Sequence, residues 1–516
     1  KMGSALKGEY SREWLQESDN EFRLLINETK TMTPRKNHEQ PMNRRRDTTY
    51  YNPQVNEKLD ENGNVKRRVR GTFGGNNLNY PYPTMSPTAD KVLVKIHQNS
   101  VISDRRNKKL DYRYMCVDLK SFYLGSKLDR SEWMLVPTKF MSQDLISELK
   151  LEEYIHKDHI LFEVTGSLYG HPAAGRISNK DLVQHLERHG YTQSANVPCL
   201  FSNKDKSITF TLIVDDIGIK YVHGNNEIDH LLNILQKPIS KWDIKIDRTG
   251  SQYNGQRLTW DYDKNTLITD VPNYVKQANH ELMPNKPIQK FNTPSMYEPF
   301  QYGKSQMRDT KNYKPADARG KKFVERVHGK YLWYSQHGDP TFQPSLLYMS
   351  TELANPTTRT VEAAERIVGY AEKHPNRGVH YRASDMVLKI QSDASHHGLP
   401  GSRSVAGGIF YLTDKNDPPD RLNGQIDTLC KIIDTSVCAA ASESEYATLY
   451  MNGQRGCHPR VILNELGYTQ PPTTIYTDNI VAKGIAHDEV TLRRSKAIHT
   501  RYHWIRDRVR QNQYNI

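Results

Sequence analysis

The chain has 516 residues, 36% hydrophobic and 25% charged, with a net charge of +13 from 72 Lys+Arg against 59 Asp+Glu. That length holds several domains with real cores, and a large cationic excess suits a polyanionic partner. Its five cysteines are scattered without a CxxC pair, which excludes a disulfide scaffold and a zinc site built on paired cysteines, and points to a reducing compartment. No 18-residue apolar run or signal peptide is present, so a soluble chain with no membrane partner is expected. The first residue is Lys1 rather than Met, the expectation for a piece of something longer.

Ser11–Glu28 reads as an amphipathic helix with a Ser cap and Trp14, Leu15, Phe22, Leu24 and Leu25 as its apolar face. Arg44–Arg46 is a basic cluster in a loop, read as solvated ahead of a phosphate contact. In VKRRVRGTFGG (Val65–Gly75) cations alternate with valines, which predicts a strand with one cationic face, and Gly74-Gly75 predicts a hairpin turn. Arg68 and Arg70 are candidates for neutralising a triphosphate, with an ordinary edge strand the equal alternative. YMCVDLKSFYLG predicts a strand ending at Asp118, with Tyr123 five residues on. Phe162–Arg176 predicts a strand running into a Gly/Pro-rich turn at Gly170, then a helix over Ser178–Gly190. Backbone bared at such a turn can lie against a base pair or template strand.

FTLIVDDIGIK (Phe210–Lys220) is an apolar run, two adjacent carboxylates and a second apolar run. Like charges in an apolar hairpin resist burial, and a divalent cation is the usual compensation. Alternation along a strand predicts Asp215 facing a metal, Asp216 at the turn beside it and a third carboxylate, Asp118, from another strand. Three carboxylates holding two metals is an arrangement used for in-line displacement at phosphorus.

Further on, Glu227–Gln236 and Pro272–Leu282 read as helices, and Lys241–Asp247 and Tyr253–Thr269 as strands. Asn285–Tyr313 is Pro-rich and patternless, a linker. Asp317–Gln336 and Val361–Lys373 read as helices, the second capped by Thr360. From Val387 the chain alternates strand and helix: a strand ending in Asp393, a strand over Ser404–Asp414, a helix over Ala441–Gly456 with Glu443 and Glu445, and a strand ending in Asp478. Those acids form a second constellation of the same kind.

The segments YYNPQVNEKL, VRGTFGG, VDLKSFYLG, SLYGHPAAGR, FTLIVDDIGIKY, NGQRLTWDY, NPTTRTVEAAERIVGYAEKHP, QSDAS, SESEYATLY, YTDN and RSKAIHTRYHWIRDRVRQ follow one another in a family's order. Through them the chain resembles the reverse transcriptase–ribonuclease H region of the Pol polyprotein of copia-type LTR retrotransposons. The resemblance implies an α+β multidomain fold: a right-hand polymerase with fingers, palm and thumb/connection, followed by a ribonuclease H-like α/β domain. The implied boundaries are 1–285 for fingers and palm, 286–385 for thumb, connection and tether, and 386–516 for the ribonuclease H-like domain. That last domain is expected to be C-terminally incomplete, because the family's fourth acid lies in an Ala-Asp-containing segment past Ile516.

The resemblance also implies roles. Asp118, Asp215 and Asp216 match the metal-binding acids of the palm, with Ile213 where an aromatic often sits. Tyr123 matches the aromatic under the sugar of the incoming nucleotide, and Arg68 or Arg70 the triphosphate-binding cations of the fingers. Ser167–Arg176, with Gly170 and Arg176, matches the nucleotide-side turn. Asp393, Glu445 and Asp478 match three ribonuclease H acids, Glu445 being preferred over Glu443 because Tyr446-Ala447 follows it. Ala173 stands where Gln is common, and His499 where Asp is. The implied cofactor is Mg2+ or Mn2+, two per active site. The implied partners are an RNA template, a DNA primer, an RNA–DNA hybrid and dNTPs, with other Pol or Gag products and a homo-oligomer as further associations. The implied location is a cytoplasmic virus-like particle or the nucleus. The rival is a non-catalytic RNA/DNA-binding or assembly subunit that keeps the fold and the basic cleft.

Overall fold

A helix that the sequence analysis passes over, Lys91–Lys108, lies at the centre of the chain. Asp90 caps it, its carboxylate accepting the N–H groups of Val92 and Leu93 at 2.8 and 2.9 Å. Residues 92–104 are all buried, including Lys95, His97, Gln98, Asn99 and Asp104. A helix buried on every side has no polar face, so amphipathic periodicity does not reveal it. The computed structural model to which it belongs describes residues 2–59, 65–284, 286–296, 313–399, 401–433, 437–490 and 499–516. Most of the expected linker and the first residues of RSKAIHTRYHWIRDRVRQ lie outside the described residues.

Three sheets and one helical unit surround this helix. A six-stranded antiparallel sheet runs Asp243–Asp247, Tyr112–Lys120, Asp216–Val222, Thr209–Ile213, Leu200–Ser202, Thr192–Gln193. A four-stranded sheet joins Gln252–Tyr253, Gln256–Asp261 and Thr266–Asp270 to Gly378–Arg382, a strand from more than a hundred residues later. The C-terminal sheet runs Gln425–Ile432, Arg403–Thr413, Val387–Leu399, Thr473–Tyr476, Tyr514–Asn515, antiparallel at first and parallel at its last two junctions. The helix Ala441–Glu465 packs on Val387–Leu399 and Arg403–Thr413. Lys91–Lys108 touches all three sheets and that helix. One continuous apolar core therefore runs from Leu119 and Ile217 to Ile390 and Tyr446. The architecture is α+β and multidomain.

Two further cores are separate. The first joins Phe22, Leu25, Met134, Val136, Phe162 and Val164, beneath the sheet formed by Met32–Arg35, His159–Gly166 and Lys127–Pro137. The second lies among the helices Tyr274–Leu282, Ala318–His337, Gln343–Ser350 and Thr358–Lys373. Val275 and Leu282 belong to this core with Val324 and Ile367, so the helical unit takes in residues that the sequence reading places before 286.

Several local expectations change. Val65–Arg70 pairs with Gln54–Leu59, so its hairpin partner precedes it, and Gly74-Gly75 is no hairpin turn. Ser11 lies inside its helix, which makes no side-chain cap bond. Thr357 caps the helix Thr358–Lys373, and Thr360 is its capping-box partner. Arg44 is held by Asp47 at 3.0 Å and by the fully buried Glu132 at 2.5 Å.

Polar contacts tie the central sheet, the helix Lys91–Lys108 and the C-terminal unit together. Lys220, on a central strand, is buried, with its ammonium 2.6 Å from Asp104 and 3.0 Å from the Ser100 hydroxyl. His458 meets Asp90 at 2.5 Å, and Asn196 and Ser194 donate to Glu465 at 2.6 and 2.8 Å. Removing one partner of a buried ion pair strands the other charge. Asp104→Ala is expected to cost about 3 kcal/mol in urea denaturation, whereas Asp104→Leu with Lys220→Met recovers most of that loss. A fully stable Asp104→Ala protein would mean that the pair contributes nothing.

Candidate active sites

The strands Thr209–Ile213 and Asp216–Val222 are joined by the two residues Val214-Asp215, and Ile213 pairs with Asp216. Val214 closes the turn with φ of 57°. The tight turn brings the chain back one residue earlier than alternation alone suggests. Asp215 is therefore the turn residue and Asp216 opens the return strand, the reverse of the expected placement. The Asp215 carbonyl accepts the Leu119 N–H at 2.9 Å, which pins the turn to the neighbouring strand. Asp216 stands directly opposite Asp118, and Asp118 directly opposite Lys245 on the next strand. Directly opposed residues share a face, so two acids and a lysine form a row across three strands.

Burial and mutual repulsion act together on these acids. Asp216 is pushed up to about 6, first by burial and then by the charges of Asp215 and Asp118. Asp215 is also raised, by burial and then by Asp118, against the pull of Arg70. Tyr123 lies close enough to Asp215 for the carboxylate to raise its phenol, after burial. Its ring meets Tyr169 edge-on at 5.3 Å, and the Arg70 guanidinium lies over Tyr169 at 5.0 Å. Arg68 and Arg70 are both exposed and, among the described residues, form no ion pair. Arg67, between them and the strand's start, faces the other way, over the Tyr10 ring at 3.9 Å and 3.1 Å from Glu57.

Gly170 and Arg176 have protein partners. Gly170 has φ of +86°, and a Cβ there would strike the Phe73 carbonyl. Its glycine is thus required by backbone-to-backbone contact with the loop after Arg70. The Arg176 guanidinium is held by Asp129 and donates to the Pro83 carbonyl at 2.7 Å. Ala173 is fully buried.

In the C-terminal sheet Asp393, Glu445 and Asp478 offer ligand atoms within 4.8 Å of one another. Asp393 sits on the central strand, Glu445 near the start of its helix and Asp478 just past the parallel strand Thr473–Tyr476. Glu443 turns elsewhere and accepts the Ala439 N–H at 2.7 Å. One Glu445 oxygen accepts the Ala394 N–H at 3.2 Å, and the other is buried with no partner among the described residues. Burial first, then Asp393 and Asp478, push Glu445 up to about 7. A buried carboxylate oxygen with no donor, facing two more carboxylates, fits a hard divalent cation. Among the described residues this is the one group that meets that spacing.

Tyr169 and Lys245 join these residues only in the folded chain. An aromatic directly before Gly170 and the alternation in DIKID were the available signals.

Protons compete with a cation for a carboxylate raised to about 7. With Asp215→Asn and Asp216→Asn in place to silence the first site, Mn2+ affinity by calorimetry should fall about tenfold from pH 8 to pH 6. Adding Glu445→Gln should weaken binding and flatten that slope; an unchanged slope would remove Glu445 from the ligand set.

No family model matches the chain. It is similar to the retrovirus-related Pol polyprotein from transposon TNT 1-94 of Nicotiana tabacum, 22% identical over 399 residues, covering 75% of this chain and 28% of the relative. It is also similar to the one from transposon RE1 of Arabidopsis thaliana, 25% identical over 413 residues, covering 76% of this chain and 26% of the relative. The chain thus spans about a quarter of the length of these curated relatives. A foamy viral protease-reverse transcriptase in complex with double-stranded DNA superposes with a TM-score of 0.49 at 10% identity, over 97% of this chain and 69% of that one. The foamy viral protease-reverse transcriptase in complex with RNA/DNA hybrid gives 0.46 at 11%, over 90% and 49%. By sequence, the homologues of this chain are retrovirus-related Pol polyproteins of plant transposons, matched over about three quarters of its length.

Proposed function

We propose that this chain is the polymerase and ribonuclease H part of a retrotransposon Pol polyprotein, an RNA-directed DNA polymerase linked to a nuclease for RNA–DNA hybrids. The observation that carries the reading is the first acidic row, Asp216 opposite Asp118 with Asp215 in the turn beside it, set next to two exposed arginines and an aromatic pair. The central sheet would be the palm, the sheet and hairpin before it the fingers, and the helical unit the thumb. Particle-associated action in the cytoplasm belongs to the same proposal.

Asp118, Asp215 and Asp216 would hold two Mg2+ or Mn2+ ions, which supply Lewis acidity at the primer 3′-hydroxyl and at the leaving pyrophosphate. Arg70 and Arg68 would neutralise the triphosphate, and Tyr123 would lie against the sugar. In the transfer a bond forms between the primer 3′-oxygen and the α-phosphorus, the bond to the β-phosphate oxygen breaks, and the hydroxyl proton passes to solvent. Asp393, Glu445 and Asp478 would orient a water against a phosphate of the RNA strand, recognised by its 2′-hydroxyl and A-like shape. Contacts to the duplex would fall mostly on phosphates, hence be salt-sensitive and largely independent of sequence.

Primer extension on poly-rA annealed to oligo-dT, with Mg2+ or Mn2+, tests this directly. Extension should occur and vanish in Asp215→Asn, while hybrid binding stays within about twofold, because the carboxylate serves chemistry and the phosphate contacts lie elsewhere. Tight, salt-sensitive hybrid binding without extension by the unmodified chain would favour a retained binding scaffold.

A further inference from the structure

The ring of Tyr169 touches two further side chains of the proposed site. Arg70 lies over it at 5.0 Å, and Tyr123 meets it edge-on at 5.3 Å. Its backbone is fixed as well. The Tyr169 carbonyl accepts the Phe73 N–H at 2.7 Å, and the next residue, Gly170, packs its backbone against Phe73. Phe73 lies three residues past Arg70, so the same contact that seats the ring anchors the end of the arginine's strand. The ring is half-buried, whereas Arg70 is exposed and, among the described residues, has no ion-pair partner. A flexible arginine with no carboxylate partner is held here by the ring face.

We infer that Tyr169 is a positioning residue: its ring ties the cation that would face the triphosphate to the aromatic that would face the sugar, so that charge recognition and sugar discrimination act as one wall. The inference rests on the polymerase reading and deepens it. It makes sugar selectivity depend on a side chain outside the acids and outside Tyr123. Truncating the ring frees Arg70 and Tyr123 together, so affinity and selectivity should be lost in the same variant. The Tyr169 hydroxyl makes no hydrogen bond among the described residues, so the ring and not the hydroxyl is the working part.

The test is equilibrium binding of dTTP and of UTP to the full chain carrying annealed poly-rA/oligo-dT. Tyr169→Leu should weaken dTTP about tenfold and cut the preference for dTTP over UTP by a similar factor, whereas Tyr169→Phe keeps both within about twofold. Tyr169→Met fills similar space without a ring and should behave like Tyr169→Leu, which keeps the test sound if the leucine variant folds poorly. Combining Tyr169→Leu with Arg70→Gln should cost less than the product of the single effects, because both remove one unit. An unchanged dTTP/UTP preference in both ringless variants overturns the inference. A chain that binds dTTP with this dependence but fails to extend the primer overturns the polymerase reading alone. An unmodified chain that does not bind dTTP overturns both.

Discussion

A carboxylate buried beside other carboxylates gains affinity for a proton or a cation, and each acidic centre of this chain holds such a group, Asp216 in one and Glu445 in the other. Asp216 faces Asp118 across a ladder, and Asp393, Glu445 and Asp478 converge from two strands and a helix. Glu445 shows the cost of such crowding most plainly, with one oxygen buried and, among the described residues, unpartnered beside two exposed carboxylates.

The second constraint is the helix Lys91–Lys108. It is buried along most of its length and passes its polar groups to every neighbour. Asp104 receives Lys220 from the strand that begins with Asp216; Asp90 receives His458 from the helix that carries Glu445. The two acidic sheets are therefore attached to one helix and share one apolar core.

Around the first centre, conformational freedom is removed by contact rather than by charge. Gly75 and Gly170 let two loops touch backbone to backbone, and this seats the cationic hairpin beside the acids. Arg67 faces inward onto Tyr10 and Glu57, so the alternation of the strand turns Arg68 and Arg70 outward.

The sequence by itself determined which carboxylates gather into two groups and the kind of element that bears each, because an acid closing an apolar β-prone run is legible from local pattern. The preference for Glu445 over Glu443 came from the family resemblance, and the fold brings Glu445, not Glu443, beside Asp393 and Asp478. Tertiary structure alone decided that Asp215 is the turn residue and Asp216 the ladder residue, because a two-residue turn shifts register by one position, which alternation cannot foresee. It alone decided that Gly378–Arg382 completes a sheet begun near residue 252, since long-range pairing leaves no local mark. It alone disclosed Lys91–Lys108, whose burial on all sides erases the amphipathic signal, and Tyr169, whose contacts with both Arg70 and Tyr123 depend on three segments distant in sequence that meet only in the folded chain.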